Sequence, residues 1–278
     1  MSIKSFIRFL DTQGNTAYGE PTTSLSEPLE GKKVEVLTGD PLTGLSKTGK
    51  QAEVSKLLCP LPTTPIVLCI GLNYQKHVNE AKLPVPKYPS VFTKPADALT
   101  GSSTSISIHQ DLQKQLDYEG ELTVVIRKTA KDVSEADALQ YVLGYTNGND
   151  LTCRYYQVPE NSGGQFGYAK SFDSFAPIGP AIVMAEVIPD PQKLKYQTKV
   201  NGEVRQSTGT DDMIASVAKI IAHLSRATTL RPGTVIMTGT PSGVGFFMEP
   251  KNFLKDGDVV AIECDELGVL SNKMVFEK

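Results

Sequence analysis

A β-dominated, mixed α/β fold is encoded in this chain, and its pattern shows this in three ways. Short apolar, β-branched runs recur between Gly- and Asp-containing turns. A long helical period occurs once. Strands and helices do not alternate as they would in a doubly wound sheet. The apolar runs fall at residues 66–70, 118–127, 141–145, 175–184, 234–238, 259–263 and 273–276. Residues 193–206 form a further pair of strands, because Asn201-Gly202 is the preferred dipeptide of a tight type I′ turn. Met213, Ile214, Val217, Ile220, Ile221 and Leu224 recur at helical spacing; Asp211 or Asp212 can cap the start, and Pro232-Gly233 stops the chain afterwards. The first residues differ in texture. Strands at 3–10 and 16–19 precede a Pro/Gly/Ser/Thr-rich stretch reaching about Pro65, so a small N-terminal domain (1–64) and a main domain (65–278) are expected.

Bulk composition narrows the function classes. A net charge of -3, with both signs interspersed, gives no footprint for nucleic acid, while a basic pocket for a small anion stays open. The four cysteines are widely spaced and form neither a disulfide framework nor a Cys-x-x-Cys zinc pair. They read as reduced thiols, which points to the cytoplasm, with a short mitochondrial signal still open. No apolar run approaches the roughly 18 residues of a membrane span.

Chemistry concentrates in a few segments. In a strand over 118–127, Glu119 and Glu121 point to one face, roughly 7 Å apart along the backbone, and Thr123 and Val125 continue the row. Two carboxylates beside apolar neighbours repel and lose hydration unless a cation offsets both, and a hard divalent ion with oxygen ligands does that. Two solvated acids on an edge strand are the other reading of Glu-x-Glu by itself. Asp150 offers a third acid, and Arg154 and Gln157 share its face on a helical turn, where a guanidinium and a carboxamide suit a substrate carboxylate. An N-capping Asp with an i,i+4 ion pair is the plainer alternative. His77 and Glu80, i,i+3 on a short helix, make either a general base near neutral pH or a surface pair. His109 and His223 read as structural. Lys170 follows a glycine-containing loop, where an ammonium can meet an oxyanion. The run Thr238-Gly-Thr-Pro-Ser-Gly-Val-Gly245 lacks a P-loop lysine and reads as a tight turn offering N–H groups and Thr240 to a ligand. No Gly-x-Ser-x-Gly elbow is present, and Cys153 reads as packing.

Taken together, these segments resemble the fumarylacetoacetate hydrolase family. The matching pieces are Gly-Leu-Asn-Tyr with His77 and Glu80, Phe92-Thr-Lys94-Pro, Glu119-x-Glu121, Asn149-Asp150 with Arg154 and Gln157, Lys170-x-Phe-Asp173, Asn201-Gly202 and the Thr240 turn. They run in family order from about residue 65 to the C-terminus. The resemblance implies a β-roll catalytic domain, usually in a homodimer, with Mg2+ or Mn2+ held by Glu119, Glu121 and Asp150. His77, Glu80 and Lys170 would be catalytic, and Lys94, Arg154, Gln157 and Thr240 would line the substrate site. The His77–Glu80 pair matches the acylpyruvase and oxaloacetate decarboxylase branch; Ile70 stands where fumarylacetoacetate hydrolase itself has a metal-binding aspartate. Tyr155 replaces an acid and Tyr168 an arginine of many members, both expected near the pocket. The implied partner is a small 2-oxo acid. The first expectation is metal-dependent hydrolysis of a C–C bond in an acylpyruvate-like 1,3-dicarbonyl through an enolate. Oxaloacetate decarboxylation or keto–enol tautomerisation on the same site, a biosynthetic enzyme with a specialised substrate, and a non-catalytic metal-bound protein stay open beside it.

Overall fold

In the computed structural model, which describes residues 2–278, the strands form two main sheets. The larger has twelve strands. From Ser5–Leu10 to one edge it runs Ala176–Met184, Val142–Asn149, Gly120–Ile126, Val235–Met237, Val67–Gly71 and Ser90–Lys94. The smaller has five, in the order Glu203–Gly209, Lys195–Val200, Val259–Cys264, Gly268–Phe276 and Ile106–Ile108. Among the described residues, no helix is long and apolar enough to cross a membrane.

Gly120–Ile126 is the axis of this arrangement. Every residue in it is buried, because core lies on both faces. Leu122, Val124 and Ile126 join Ile220 and Ile221 of the helix Val217–Ser225 and Ile262 and Leu270 of the second sheet. Val125 points the other way, toward Val67, Met237 and Phe6. The period-2 alternation of a strand thus splits one segment between two cores, and each fully buried Val or Leu contributes about 1.5–3 kcal/mol. Glu121 shares Val125's parity, as the sequence pattern requires.

The hairpin at Asn201-Gly202 forms as expected. Val200 pairs with Glu203, and both turn residues have positive φ, 52° and 83°. Two expectations are corrected. The helix starts at Val217 rather than Met213, and Ser216 caps it by accepting from Lys219 N at 3.2 Å. Met213 and Ile214 are extended instead. Met213 bridges Tyr74, and Ile214 N donates to Asn73 O, so pairing with a distant segment overrides the local helical period. Asp212 does cap a helix, but a different one: its carboxylate accepts from Lys76 N at 3.2 Å in Gln75–Ala81. The second correction concerns the stretch before Pro65. It holds the long ladder Lys33–Asp40 with Gly44–Glu53, invisible to hydropathy because Gly44–Glu53 buries no residue. Ser5–Leu10 then joins these N-terminal strands to the main sheet through Ser5↔Val183 and Phe6↔Ile182.

Replacing Ser216 with Ala is expected to cost about 1 kcal/mol in urea unfolding, the usual value of an N-cap. Asp211→Ala should stay within about 0.5 kcal/mol, since an exposed side chain without a cap bond contributes little.

Candidate active site

Register brings the three acids together. Gly120 lies opposite Asn149 and Glu121 opposite Gly148, so Asp150 emerges beside Glu119 where the ladder ends. Asp150 N donates to Glu119 O at 2.9 Å, and Glu119 N donates to Asn149 Oδ1 at 3.0 Å. Carboxylate oxygens of Glu119, Glu121 and Asp150 consequently lie within 4.8 Å of one another, all buried.

Three cations surround them. Lys170 Nζ donates to Glu119 Oε2 at 2.8 Å, Asp150 Oδ2 at 2.6 Å and Thr152 Oγ1 at 2.9 Å. Lys94 Nζ contacts Asp150 Oδ1 at 2.6 Å and donates to the carbonyls of Leu151 and Phe175. Arg154 donates from Nε to Asp117 Oδ2 at 2.8 Å and from Nη1 to Gln157 Oε1 at 2.8 Å, and its Nη2 lies 2.6 Å from Glu119 Oε1. Burial pushes the Glu119 carboxyl up, but Lys170 and Arg154 beside it hold it down at about 2. Glu121 differs. It forms no ion pair among the described residues, and accepts a hydrogen bond from Gly239 N at 2.7 Å. Burial first, then Asp150 and Glu119, raises its carboxyl well above the ordinary range.

Two contacts in this cluster are close without being in line. Asp150 Oδ1 and Arg154 Nη2 are buried and make no hydrogen bond of good geometry within the protein, despite their ion-pair distances. Such atoms are costly unless something else engages them. Oxygen-only donors, three converging carboxylates and a lone pair at Asp150 Oδ1 fit a hard divalent cation held by Glu119, Glu121 and Asp150. The N–H at Arg154 Nη2 fits an anionic ligand next to it.

The dyad lies at the edge of the same cluster. His77 Nδ1 is 3.0 Å from Glu80 Oε2, His77 is buried, and its ring meets Phe247 edge-on at 5.7 Å. His77 lies within electrostatic reach of the Glu119 carboxyl. Glu80 Oε1 accepts from Gly243 N at 2.9 Å. The Gly-rich turn therefore spends its amides on the protein's own acids: Gly239 on Glu121, Gly243 on Glu80, Gly245 and Phe246 on Asp117. Gly239 is held at φ 104°, and a Cβ there would stand 2.7 Å from Asn73 Cβ, so only glycine brings this amide in.

Other expected residues take particular places. Asp150 ends its strand rather than sharing a helical turn with Arg154; the turn that follows, Arg154–Tyr156, joins Arg154 to Gln157 alone. Lys94 is enclosed by protein oxygens and has the geometry of an anchor for Asp150. Thr240 Oγ1 donates to Gly120 O at 3.0 Å and accepts from Gln206 Nε2 at 2.8 Å, tying the turn to the central strand. Tyr168 is 65% exposed and packs edge-on against Tyr156 and Phe172, while Tyr155 lies under the Lys114 ammonium at 4.1 Å; their rings belong to a surface aromatic cluster.

Two groups were missed from sequence. Asn73 reaches Ala215 and the Thr238 carbonyl, locking the turn's start. Asp117 accepts from four N–H groups and has no exposure. Burial raises its carboxyl above the ordinary range, yet four donors aimed at its two oxygens suit the carboxylate and not the acid. The alternating pattern Asp117-x-Glu119-x-Glu121 was the available signal.

A β-dominated scaffold that gathers buried carboxylates for a hard cation, beside a His–Glu pair, defines a class of enzyme. This chain belongs to the fumarylacetoacetate hydrolase family: the profile of the fumarylacetoacetate (FAA) hydrolase C-terminal domain matches residues 66–275. Among curated relatives, the mitochondrial oxaloacetate tautomerase fahd2 of Xenopus laevis is 44% identical over 219 residues, covering 79% of this chain and 68% of that protein. The oxaloacetate tautomerase YisK of Bacillus subtilis is 43% identical over 222 residues, covering 79% and 73%. Among solved structures, a 2-hydroxyhepta-2,4-diene-1,7-dioate isomerase from Mycobacterium marinum superposes with TM-score 0.84 at 34% identity, covering 99% of both chains. A fumarylpyruvate hydrolase from Pseudomonas aeruginosa, in complex with Mn2+ and pyruvate, gives 0.69 at 34% identity, covering 77% of this chain and 91% of that one.

Glu119→Ala is expected to abolish Mn2+ binding in calorimetry, because it removes one of the three converging acids and leaves Lys170 and Arg154 in excess. An unchanged titration would reject the triad as the metal site.

Proposed function

We propose that this chain is a divalent-metal-dependent keto–enol tautomerase of a small 2-oxo dicarboxylic acid of the oxaloacetate type. The single observation behind the reading is the convergence of buried Glu119, Glu121 and Asp150, paired with Lys170 and Arg154, with the buried His77 of a His–Glu pair in electrostatic reach. The names of the two curated relatives and of the isomerase that matches over the whole chain support isomerisation ahead of hydrolysis.

A bound divalent cation, Mg2+ or Mn2+, supplies Lewis acidity to the 2-oxo group and so lowers the cost of an enolate. The chain's own residues handle charge and protons. Arg154, with its Nη2 turned inward, orients a carboxylate. Lys170 is a poor base: burial pushes its ammonium down, but Asp150 and Glu119 hold it above the ordinary lysine range, so it stays charged and supports negative charge on oxygen. Proton movement then falls to His77. Glu80 engages Nδ1, which leaves Nε2 to take the C3 proton in one direction and return it in the other. One proton leaves C3, one reaches the 2-oxo oxygen, and the π bond moves from C2–O to C2–C3; no atom other than the proton is exchanged. The second reading is hydrolysis of an acylpyruvate, favoured by the same dyad, which is suited to activating water, and by the hydrolase neighbour.

With Mn2+, wild-type protein should speed the decay of the enol absorbance of oxaloacetate without added release of carbon dioxide. Decay at the buffer rate, together with fragment release from an acylpyruvate, would select the hydrolase instead. His77→Ala should lower turnover by roughly 10²–10⁴-fold, the usual loss for a general base.

A further inference from the structure

We propose that Asp117 is the positioning residue for Arg154, fixing the guanidinium so that its Nη2 edge faces the acid triad; the substrate side of this inference rests on Arg154 meeting the substrate's carboxylate. Asp117 is an unlikely-looking neighbour to three converging acids, because a fourth buried carboxylate adds repulsion. Its surroundings explain its presence. Both oxygens are committed: Oδ1 accepts from Tyr118 N at 3.0 Å and Gly245 N at 2.9 Å, and Oδ2 accepts from Arg154 Nε at 2.8 Å and Phe246 N at 3.0 Å. No lone pair is left for a cation, and Asp117 is not among the acids that converge.

The geometry at Arg154 follows from this. A guanidinium is planar, so two fixed nitrogens define where the third points. Asp117 holds Nε, Gln157 holds Nη1, and Nη2 is thereby turned to Glu119. Among the Arg154 nitrogens, Nη2 is the one whose contact, the close ion pair with Glu119, is not an in-line hydrogen bond, so it keeps an N–H for a ligand. Asp117 also divides the positive charge. Alone with Glu119, Arg154 would pair fully with a carboxylate that the cation needs; between two acids it is shared. The same carboxylate binds the turn carrying the Gly243 amide that holds Glu80, so arginine and dyad are referenced to one buried group. Gly245 permits the approach, since a Cβ there would stand 2.7 Å from Asp117 Oδ1 and run into the Asn252 carbonyl.

The test is a double-mutant cycle on the full-length protein loaded with Mn2+, reading KM for oxaloacetate and the calorimetric affinity for oxalate. Asp117→Asn should weaken both by about tenfold or more, and should add less than about twofold in an Arg154→Met background, because the two residues act as a unit. Additive losses, or unchanged constants in Asp117→Asn, would overturn the proposal, since a purely structural acid gives effects independent of Arg154. A wild-type protein that fails to turn over oxaloacetate yet shows the coupled loss of oxalate affinity would refute the tautomerase reading and support this one. Should Asp117→Asn not fold, nitrogen-resolved NMR of the wild-type side chain decides: the Arg154 Nε–H should be strongly protected from exchange with water, and exchange at the rate of an exposed arginine would overturn the assignment.

Discussion

Charge balance among buried groups governs this molecule. Glu119, Glu121 and Asp150 stand within 4.8 Å of one another with almost no access to water. Left alone, such a group would ionise poorly or force the core open. Lys94, Lys170 and Arg154 offset part of the charge, yet they do so unevenly. Asp150 and Glu119 each contact two cations, whereas Glu121, among the described residues, has only a backbone amide. The uncompensated end of the cluster lies at Glu121, and a hard cation bound by all three acids would complete the balance there.

The second sheet and the short helices serve this cluster indirectly. Tyr196 on the second sheet donates toward the Gly120 carbonyl, and Gln206 bridges Gly120 N, Thr240 and Pro241, so the residue between the two glutamates is held from behind. Gln75–Ala81 is too short to be stable by itself and is fastened at its start by Asp212 and at Glu80 by the Gly243 amide. His77 therefore owes its position to two chain-distant contacts more than to helix propensity.

How much of this the sequence revealed depends on the range over which each feature is decided. Strand alternation at 119, 121, 123 and 125 is local, and it located two acids and their burial correctly. The turn at Asn201-Gly202 is local too, because its dihedral demands are met by those two residues alone. The start of the last helix was misread because Met213 and Ile214 satisfy a helical period while their backbone is claimed by Asn73 and Tyr74. The Lys33–Asp40 and Gly44–Glu53 ladder was missed because a strand with no buried residue carries no hydropathy signal. Asp117 had the right parity but an ambiguous residue type. Only the arrival of Arg154, Gly245 and Phe246 shows what it does.

The amides of the Gly-rich turn come late in the chain. Gly239 is 118 residues from Glu121, Gly245 is 128 from Asp117, and Gly243 is 163 from Glu80. Glu80, Asp117 and Glu121 are thus translated well before the turn amides that hold them. Such long loop closures slow folding, because their entropy is lost before the contacts they allow are made.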